Sequence, residues 1–534
     1  MQCPICHQDF KMLLHQFNGA VDSPLMEMLQ REVPNWHPAL GACTRCTDQA
    51  QIDAWTEFKG IEFGTEVNGY KILPIPTRLM AHPNYTGKGV TICFIDSGFY
   101  PHPDLEGRIL AAVNIPNAEH LNFQTSKPET SAWHGTMTSV VGAGNGALSN
   151  GLYKSLAPEA NVILLKVTDD QGSITGENIT KALKWAIKNQ KKYNIRIINL
   201  SVTDDWSTSY RENAVDQAIA RAVAAGIVVV VAAGNDENAY LKAPANSPHA
   251  ISVGGLDDHN TLHPLSYTLY HSTFGNTVDG IQKPDLLAPA IWIPAPILPE
   301  TNVQKEAALL FDLIQTQDDR YLKAKFTNVI TQLNINKNIT DQSPDIIRQI
   351  IQQEIDHRKL ISPHYQHADG TSFAAPIVCS LIAQILEANP ALTPAGVRNI
   401  LTQTARKLPN AAVERQGFGV VHPLSAVYAA ETIHTDLPIS FTPLINYQQQ
   451  TIEFFLHQHA ASTVTATGDF TNWSKDGIPL QKHHDIWKRH YNILPKGEYR
   501  YKFIINDKDW VSDPTNILRE LDGFGGFNSK LIIE

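Results

Sequence analysis

Basic residues fall short of acidic ones, 43 Lys and Arg against 53 Asp and Glu, so the chain carries a net charge of −10 at pH 7. No basic run longer than a few residues interrupts that balance, which argues against a nucleic-acid-binding surface. Long apolar runs are missing too. The nearest, Ala222 to Ala233, is broken by Gly226 into a helix end and a short strand. It falls short of the about 18 apolar residues that cross a bilayer. The opening Met1-Gln2-Cys3-Pro4-Ile5-Cys6 has neither the basic nor the apolar region of a secretory signal. These absences lead to the expectation of a soluble, cytoplasmic protein that engages neither membrane nor nucleic acid. Cysteine is scarce, at 6 of 534 residues, and in a reducing compartment it favours zinc over disulfides. A composition of 43% apolar and 18% charged residues is ordinary for a globular protein, but the length exceeds what one core supports. Several domains are expected.

Four of the cysteines form two Cys-x-x-Cys pairs, Cys3 with Cys6 and Cys43 with Cys46. That is the donor set of a four-thiolate structural zinc site. The 36 residues between the pairs exceed the usual spacing, so the knuckles Cys3-Pro4-Ile5-Cys6-His7 and Cys43-Thr44-Arg45-Cys46 should close around a small helical insert. Leu25, Met28 and Leu29 would form its apolar face. The bland alternative is two unrelated surface dithiols. Cys93 and Cys379 stand in apolar runs and read as inert core thiols.

Between residues 90 and 235 the chain alternates short apolar runs with helical periodicity. Val90 to Ile95, Val162 to Leu165, Ile197 to Leu200 and Val228 to Val231 read as buried strands. Ile179, Leu183, Ala186 and Ile187 recur at helical spacing, as do Val215, Ile219, Ala222 and Val223. This alternation predicts an α/β fold with a parallel sheet covered on both faces by helices. The strand ending at Asp96 would deliver it to the sheet's C-terminal edge, where open α/β sheets place their sites. Downstream come His134-Gly135-Thr136 and Gly370-Thr371-Ser372-Phe373-Ala374-Ala375-Pro376, which place a hydroxyl at a helix N-terminus. Asp, His and Ser in this order fit one of the known triad arrangements. A serine is a weak nucleophile until a histidine takes its proton, and the histidine needs a carboxylate to fix its tautomer. Asn235, in the turn after Ala232-Ala233-Gly234, has an amide able to donate to an oxyanion beside the Ser372 N–H. Each residue alone has a structural reading as a cap, loop or turn residue; together they point to catalysis.

Over about Tyr70 to Ala430 the chain resembles the subtilisin-like serine proteases. The resemblance rests on Asp96-Ser97-Gly98 with His102-Pro103-Asp104-Leu105, on His134-Gly135-Thr136, on Ala232-Ala233-Gly234-Asn235, and on Gly370-Thr371-Ser372 with Ala375-Pro376. It implies a serine endopeptidase acting on peptides or proteins through Asp96, His134 and Ser372, with Asn235 in the oxyanion hole. It also implies that backbone at Gly172, Ser173, Ser201 and Val202 pairs with an extended substrate, and that Ala232, Ala233 and Gly234 floor the S1 pocket. Val202 and Thr203 replace the family's Leu and Gly, so a narrower pocket rim is expected. Leu148-Ser149-Asn150-Gly151-Leu152 is similar to a calcium loop, though incompletely. Ile72-Leu73-Pro74-Ile75-Pro76 resembles the inhibitory extension of intracellular relatives; the alternative is a rigid linker.

Where the family has a short connection, residues 300–362 carry three helical patterns. They are Val303, Ala307, Leu310, Phe311, Ile314; Leu322, Phe326, Val329, Ile330, Leu333; and, after Ser343-Pro344, Ile347, Ile350, Ile351, Ile355. This insertion either shapes substrate access or is a structural cap. We expect three units: residues 1–65 as the zinc-binding region, 66–435 as the protease, and 445–534 as an all-β sandwich.

The last unit reads as short alternating strands with aromatics and turn signals. Gly468-Asp469-Phe470-Thr471-Asn472-Trp473, Leu494 to Phe503 and Asp513-Pro514 resemble the glycogen-binding modules of AMP-activated protein kinase β subunits. That resemblance implies α-glucan binding, with Trp473 and Trp510 stacking on glucose rings, Lys502 and Asn528 holding hydroxyls, and Phe524 adding an apolar contact. Gly526 stands where a hydroxyl-bearing residue is usual, and one extra residue precedes Trp510. A sandwich kept for packing or partner docking is the alternative, and an inert protease-like scaffold is the alternative for the whole chain.

Overall fold

A computed structural model of the protein describes all residues except 1, 10–12, 14–22, 44–45, 48, 51–71, 122–127, 130, 205–206, 263, 337–338, 410, 434–438, 459–460 and 485, with the side chains of residues 23–25 and 265 also left out. The expected boundary near residue 65 and the Leu25 side chain lie outside the described residues.

The central sheet runs in the order Leu286–Pro289, Ile251–Asp257, Val228–Ala232, Ile195–Leu200, Thr91–Asp96, Asn161–Lys166, Ile109–Asn114 and Glu119–His120. Every pairing among the first seven strands is parallel, and Glu119–His120 closes the margin as an antiparallel hairpin. The strands are apolar throughout because both faces are covered. Along Thr91–Asp96 the two-residue period sends Ile92 and Phe94 into one core and Cys93 and Ile95 into the other. The first core includes the helices Ala132–Ala143 and Thr371–Ala388; the second includes Gly176–Tyr193 and Ala214–Ala224. Cys93 and Cys379 are fully buried, as expected, and burial pushes both thiols up.

One sequence expectation needs correcting. Thr371–Ala388 is long and apolar enough to cross a bilayer, yet 83% of it is buried inside the fold. Among the described residues it is the one helix that passes that test, and it does so as the central helix of a core.

The insertion forms the helices Asn302–Ile314, Asp319–Val329 and Pro344–His357. Leu310, Phe326, Ile351 and Ile355 meet in a core of their own, so the helical periodicity read from sequence was correct. Val303 is the exception and lies exposed. The element grows out of a two-stranded antiparallel ribbon, Ile293–Pro296 with Tyr365–Ala368, whose second strand runs directly into the Gly370 turn. Ile72 to Pro76 does not form an extension crossing the site. Ile75–Arg78 is a helical turn packed into the first core, held by Arg78 on Asp258 at 2.6 Å and on the Ile291 and Trp292 carbonyls.

Two antiparallel sheets follow. One contains Leu444–Asn446, Thr451–His457, Ile486–Asn492 and Gln481–His483, and the other is built on Val464–Gly468, Gly497–Ile505, Phe527–Ile533 and Arg519–Leu521. Phe454, Trp487, Tyr501 and Phe503 fill the space between them. This sandwich is joined to the parallel-sheet unit by buried charge. Arg519 reaches Asp285 at 2.5 Å and the Pro284 carbonyl at 3.1 Å, with its guanidinium over the rings of Phe418 and Phe527. Lys283 and Arg398 complete the ring around Asp285 at 2.7 and 2.9 Å.

Candidate active site

Asp96 emerges at the end of its strand, fully buried, with both carboxylate oxygens committed. Oδ1 accepts from the Ser97 N–H at 2.7 Å and faces His134 Nδ1 at 2.7 Å; Oδ2 accepts from Thr138 Oγ1 at 2.9 Å. His134 and Thr138 are one turn apart on Ala132–Ala143, so one helix face delivers both. That helix approaches the Asp96 loop closely. A Cβ on Gly135 would lie 2.2 Å from the Gly98 carbonyl oxygen, which explains the glycine after the histidine. Burial alone would lower the His134 pKa, but the Asp96 charge and hydrogen bond outweigh it and raise it above the ordinary histidine value. The tautomer with Nδ1–H toward Asp96 leaves Nε2 as the free acceptor.

Ser372 is the second residue of its helix, reached through Gly370 at φ 136°, a backbone region that favours glycine. The Gly370 N–H donates to the Ala290 carbonyl at 2.7 Å, which ties the turn to the sheet unit. Ser372 Oγ makes no hydrogen bond among the described residues; in ligand-free sites such contacts commonly tighten only when substrate arrives. Pro376 lies four residues on, inside the helix, and lacks the N–H that the Ser372 carbonyl would otherwise accept from. Ser201 Oγ supplies the missing donor at 2.9 Å and itself accepts from Asn199 Nδ2 at 3.0 Å. Sequence reading concerned the Ser201 backbone; its side chain braces the turn that carries Ser372. A proline four residues after the serine was the signal available.

Asn235 is exposed and oriented by Thr371. Its Oδ1 accepts from the Thr371 N–H at 2.8 Å and from Thr371 Oγ1 at 2.9 Å. Two donors on one oxygen fix the amide, so Nδ2 is the end left to donate outward. Thr371 Oγ1 also accepts from the Gly234 N–H at 3.1 Å, joining the two turns. Thr371 was not singled out from sequence; only the fold brings it to Asn235.

The remaining substrate residues divide. Ala232 and Ala233 are buried at the end of their strand beside Gly234, and Ser201 and Val202 follow the end of the neighbouring strand. Gly172 and Ser173 lie in the loop that precedes Gly176–Tyr193. They close a turn in which the Gly172 N–H donates to the Asp169 carbonyl, the Ser173 N–H to Asp169 Oδ1, and the Asp169 N–H to the Ser173 carbonyl.

Asp104, beside the 148–152 loop, accepts from the Leu148 N–H at 3.1 Å and from the Tyr365 hydroxyl at 2.5 Å, and is fully buried. Tyr365 thus cross-links this loop to the strand that leads into Gly370.

The four N-terminal cysteines do meet. Their Sγ atoms lie within 4.8 Å of one another, with Cys3 to Cys46 at 4.0 Å and Cys6 to Cys43 at 3.8 Å. A tetrahedral ion with bonds of about 2.3 Å to sulfur sets edges of about 3.8 Å, so the cluster could hold a metal. The Cys43 and Cys46 N–H groups donate to the Cys3 and Cys43 sulfurs, each at 3.4 Å. Leu29, with Met28 beside it, packs around Trp36 in the insert, as the apolar-face reading requires.

On the sandwich, Trp473 and Trp510 lie 6.3 Å apart with planes inclined by 30°. Lys502 Nζ is paired with Asp522 at 2.5 Å. Asn528 is on the adjacent strand, one position past the Tyr501–Ser529 pair, and Phe524 is 95% exposed. All five expected residues therefore sit in this sheet and its loops, although Lys502 already has an acidic partner.

Residues 87–419 match the subtilase family, and residues 453–533 match the glycogen recognition site of AMP-activated protein kinase. Serine protease AprX of Bacillus subtilis is 32% identical over 355 residues, covering 64% of this chain and 67% of that protein. Subtilisin-like protease 11 of Arthroderma benhamiae is 33% identical over 176 residues, and there the match spans only 39% of the relative. Among solved structures, fervidolysin from Fervidobacterium pennivorans aligns at 20% identity and TM-score 0.45, over 78% of this chain and 52% of that one. The S41 psychrophilic protease aligns at 20% identity and TM-score 0.46, over 67% and 99%. The chain belongs to the subtilase family and is a serine endopeptidase that carries a domain of the glycogen-recognition type.

Proposed function

We propose that Asp96, His134 and Ser372 form the catalytic unit of peptide-bond hydrolysis, with Asn235 and the Ser372 N–H as oxyanion donors. The observation that carries this reading is the 2.7 Å contact of His134 Nδ1 with a buried, fully engaged Asp96, which leaves Nε2 to accept a proton. Ser372 Oγ attacks the scissile carbonyl carbon as its proton passes to Nε2; the imidazolium is stabilised by Asp96. Negative charge gathers on the former carbonyl oxygen, where Asn235 Nδ2 and the unpaired N–H at the helix N-terminus donate. His134 then protonates the leaving amine, and water repeats the sequence on the acyl-enzyme. Extended substrate would enter along Ser201 and Val202, with its side chain over Ala232, Ala233 and Gly234.

The cysteine cluster fits structural zinc. Cys3, Cys6, Cys43 and Cys46 would hold it, and the metal would tie the ends of the segment together without entering the hydrolysis. Four unbridged thiols this close suit the reducing cytoplasm. The sandwich reads as an α-glucan site, favoured by the Trp473 and Trp510 pair. Activity-based labelling of Ser372, compared with Ser372→Ala, tests the catalytic reading; an unlabelled wild type would leave the inert scaffold. Metal analysis of protein purified under reducing conditions should find about one zinc per chain, lost in Cys3→Ser with Cys43→Ser.

A further inference from the structure

The hairpin Asp522 to Gly526, which presents Phe524, does not stand free of the protease unit. Asp522 Oδ1 accepts the Phe524 and Gly526 N–H groups at 2.7 and 2.9 Å, and Oδ2 holds Lys502. The Gly525 carbonyl turns the other way and accepts from Lys407 Nζ at 3.2 Å. Lys407 follows the helix Pro394–Thr404 of the protease unit, and its ammonium is close enough to Asp522 and Lys502 for both charges to act on it. The residue is exposed, and the Gly525 contact is its single side-chain hydrogen bond among the described residues. An ammonium has three donors, so two remain for a ligand. Lys502 likewise has one partner, Asp522, but its side chain is only 12% exposed, so its remaining donors do not face a ligand.

We infer that the glucan site is composite, with Lys407 of the protease unit donating to sugar hydroxyls beside Phe524. This rests on the α-glucan reading of the sandwich. The division of labour is physical. Trp473 and Trp510 offer apolar faces to glucose rings, whereas hydroxyl recognition needs free donors, and Lys407 is the exposed charged donor beside the loop with capacity left. Fixed placement is ensured by the strand Arg519–Leu521, which enters the hairpin directly from the Asp285 ring.

The test uses the full-length protein with maltoheptaose. Calorimetry on wild type, Lys407→Ala, Lys407→Arg and the Trp473→Ala, Trp510→Ala double variant should show binding by wild type and loss in the tryptophan variant. Lys407→Ala should weaken it by about tenfold, with partial retention in Lys407→Arg, as expected for one charge-assisted hydrogen bond. Acetylation footprinting separates contact from bracing: maltoheptaose should protect Lys407 and leave Lys508 reactive. Wild-type affinity in Lys407→Ala, or full Lys407 reactivity with sugar bound, overturns the composite site while the sandwich reading stands. Absence of any wild-type binding overturns both. Hydrolysis of a short chromogenic peptide should be the same in all four proteins.

Discussion

Two buried carboxylates belong to the same sheet and behave in opposite ways. Asp96, at the end of its strand, is held by a hydroxyl, a backbone N–H and one imidazole that is 20% exposed. Asp285, just before Leu286–Pro289, is ringed by Lys283, Arg398 and Arg519, all nearly inaccessible. Burial would raise the pKa of Asp285, but the three cations hold it well below the carboxylate range. A carboxylate with one titratable, partly solvated partner can pass a change of charge outward to a substrate. One enclosed by buried cations can only hold structure together. On the proposed reading the same buried acid serves chemistry in one place and fastening in the other, and its partners decide which.

Exchanging the damage breaks the comparison most sharply. Asp96→Asn should remove nearly all hydrolysis and leave the unfolding midpoint close to wild type. Ser372→Ala and His134→Ala should do the same without further loss in combination, since the three act as one unit. If their losses multiplied, the unit would be refuted. Arg519→Gln should leave turnover per folded molecule unchanged but cost about 3–5 kcal/mol in denaturant unfolding, the usual penalty for breaking a buried pair. Full stability in Arg519→Gln would show that the ring fastens nothing. Asn235→Ala should lower turnover by about 100- to 1,000-fold with little change in KM, a magnitude taken from subtilisin itself and not from this geometry; equal loss in KM would assign Asn235 to ground-state binding instead.

pH sharpens it next. His134 is raised by Asp96, and only its neutral form accepts a proton, so kcat/KM should climb as pH rises through an ionisation above the ordinary value of about 6.5. An inflection below that value would contradict the pair. The linkage runs the other way for stability: the raised His134 favours the fold at low pH and loses that contribution as pH rises through its folded value. Asp285, being depressed, contributes fully above its unfolded value and loses that contribution progressively as pH falls from there toward its folded value. Denaturation between pH 5 and 7 would therefore change little for the Asp285 ring. The smallest effect is expected from zinc chelation, which should leave peptide hydrolysis unaltered, because the cysteine cluster contributes no group to the Asp96 site.

The sheet, the flanking helices, the inserted helices and the Asp96, His134, Ser372 and Asn235 positions were legible because local pattern encodes them. Ile92 to Ile95 alternate between two cores, and Ile347, Ile351 and Ile355 repeat along one helix face. What was illegible depends on residues distant in sequence. Lys283, Asp285, Arg398 and Arg519 come from three separate stretches, and none is unusual in its local context. Tyr365 on Asp104 was hidden for the same reason. The turn that Asp169 makes around Gly172 and Ser173 also went unread, although a short polar side chain capturing a backbone N–H a few residues on is common in loops.

Arg519 also bears on how such a chain is inherited. A module strung on a free linker can be lost, duplicated or traded between proteins with little consequence for its neighbour. Here the two cores share one residue's charge, and removing the sandwich would uncover Asp285 with Lys283 and Arg398 at a newly wetted surface. Recombination at this junction would have to exchange both sides together, so protease and sandwich are constrained to diverge as a pair.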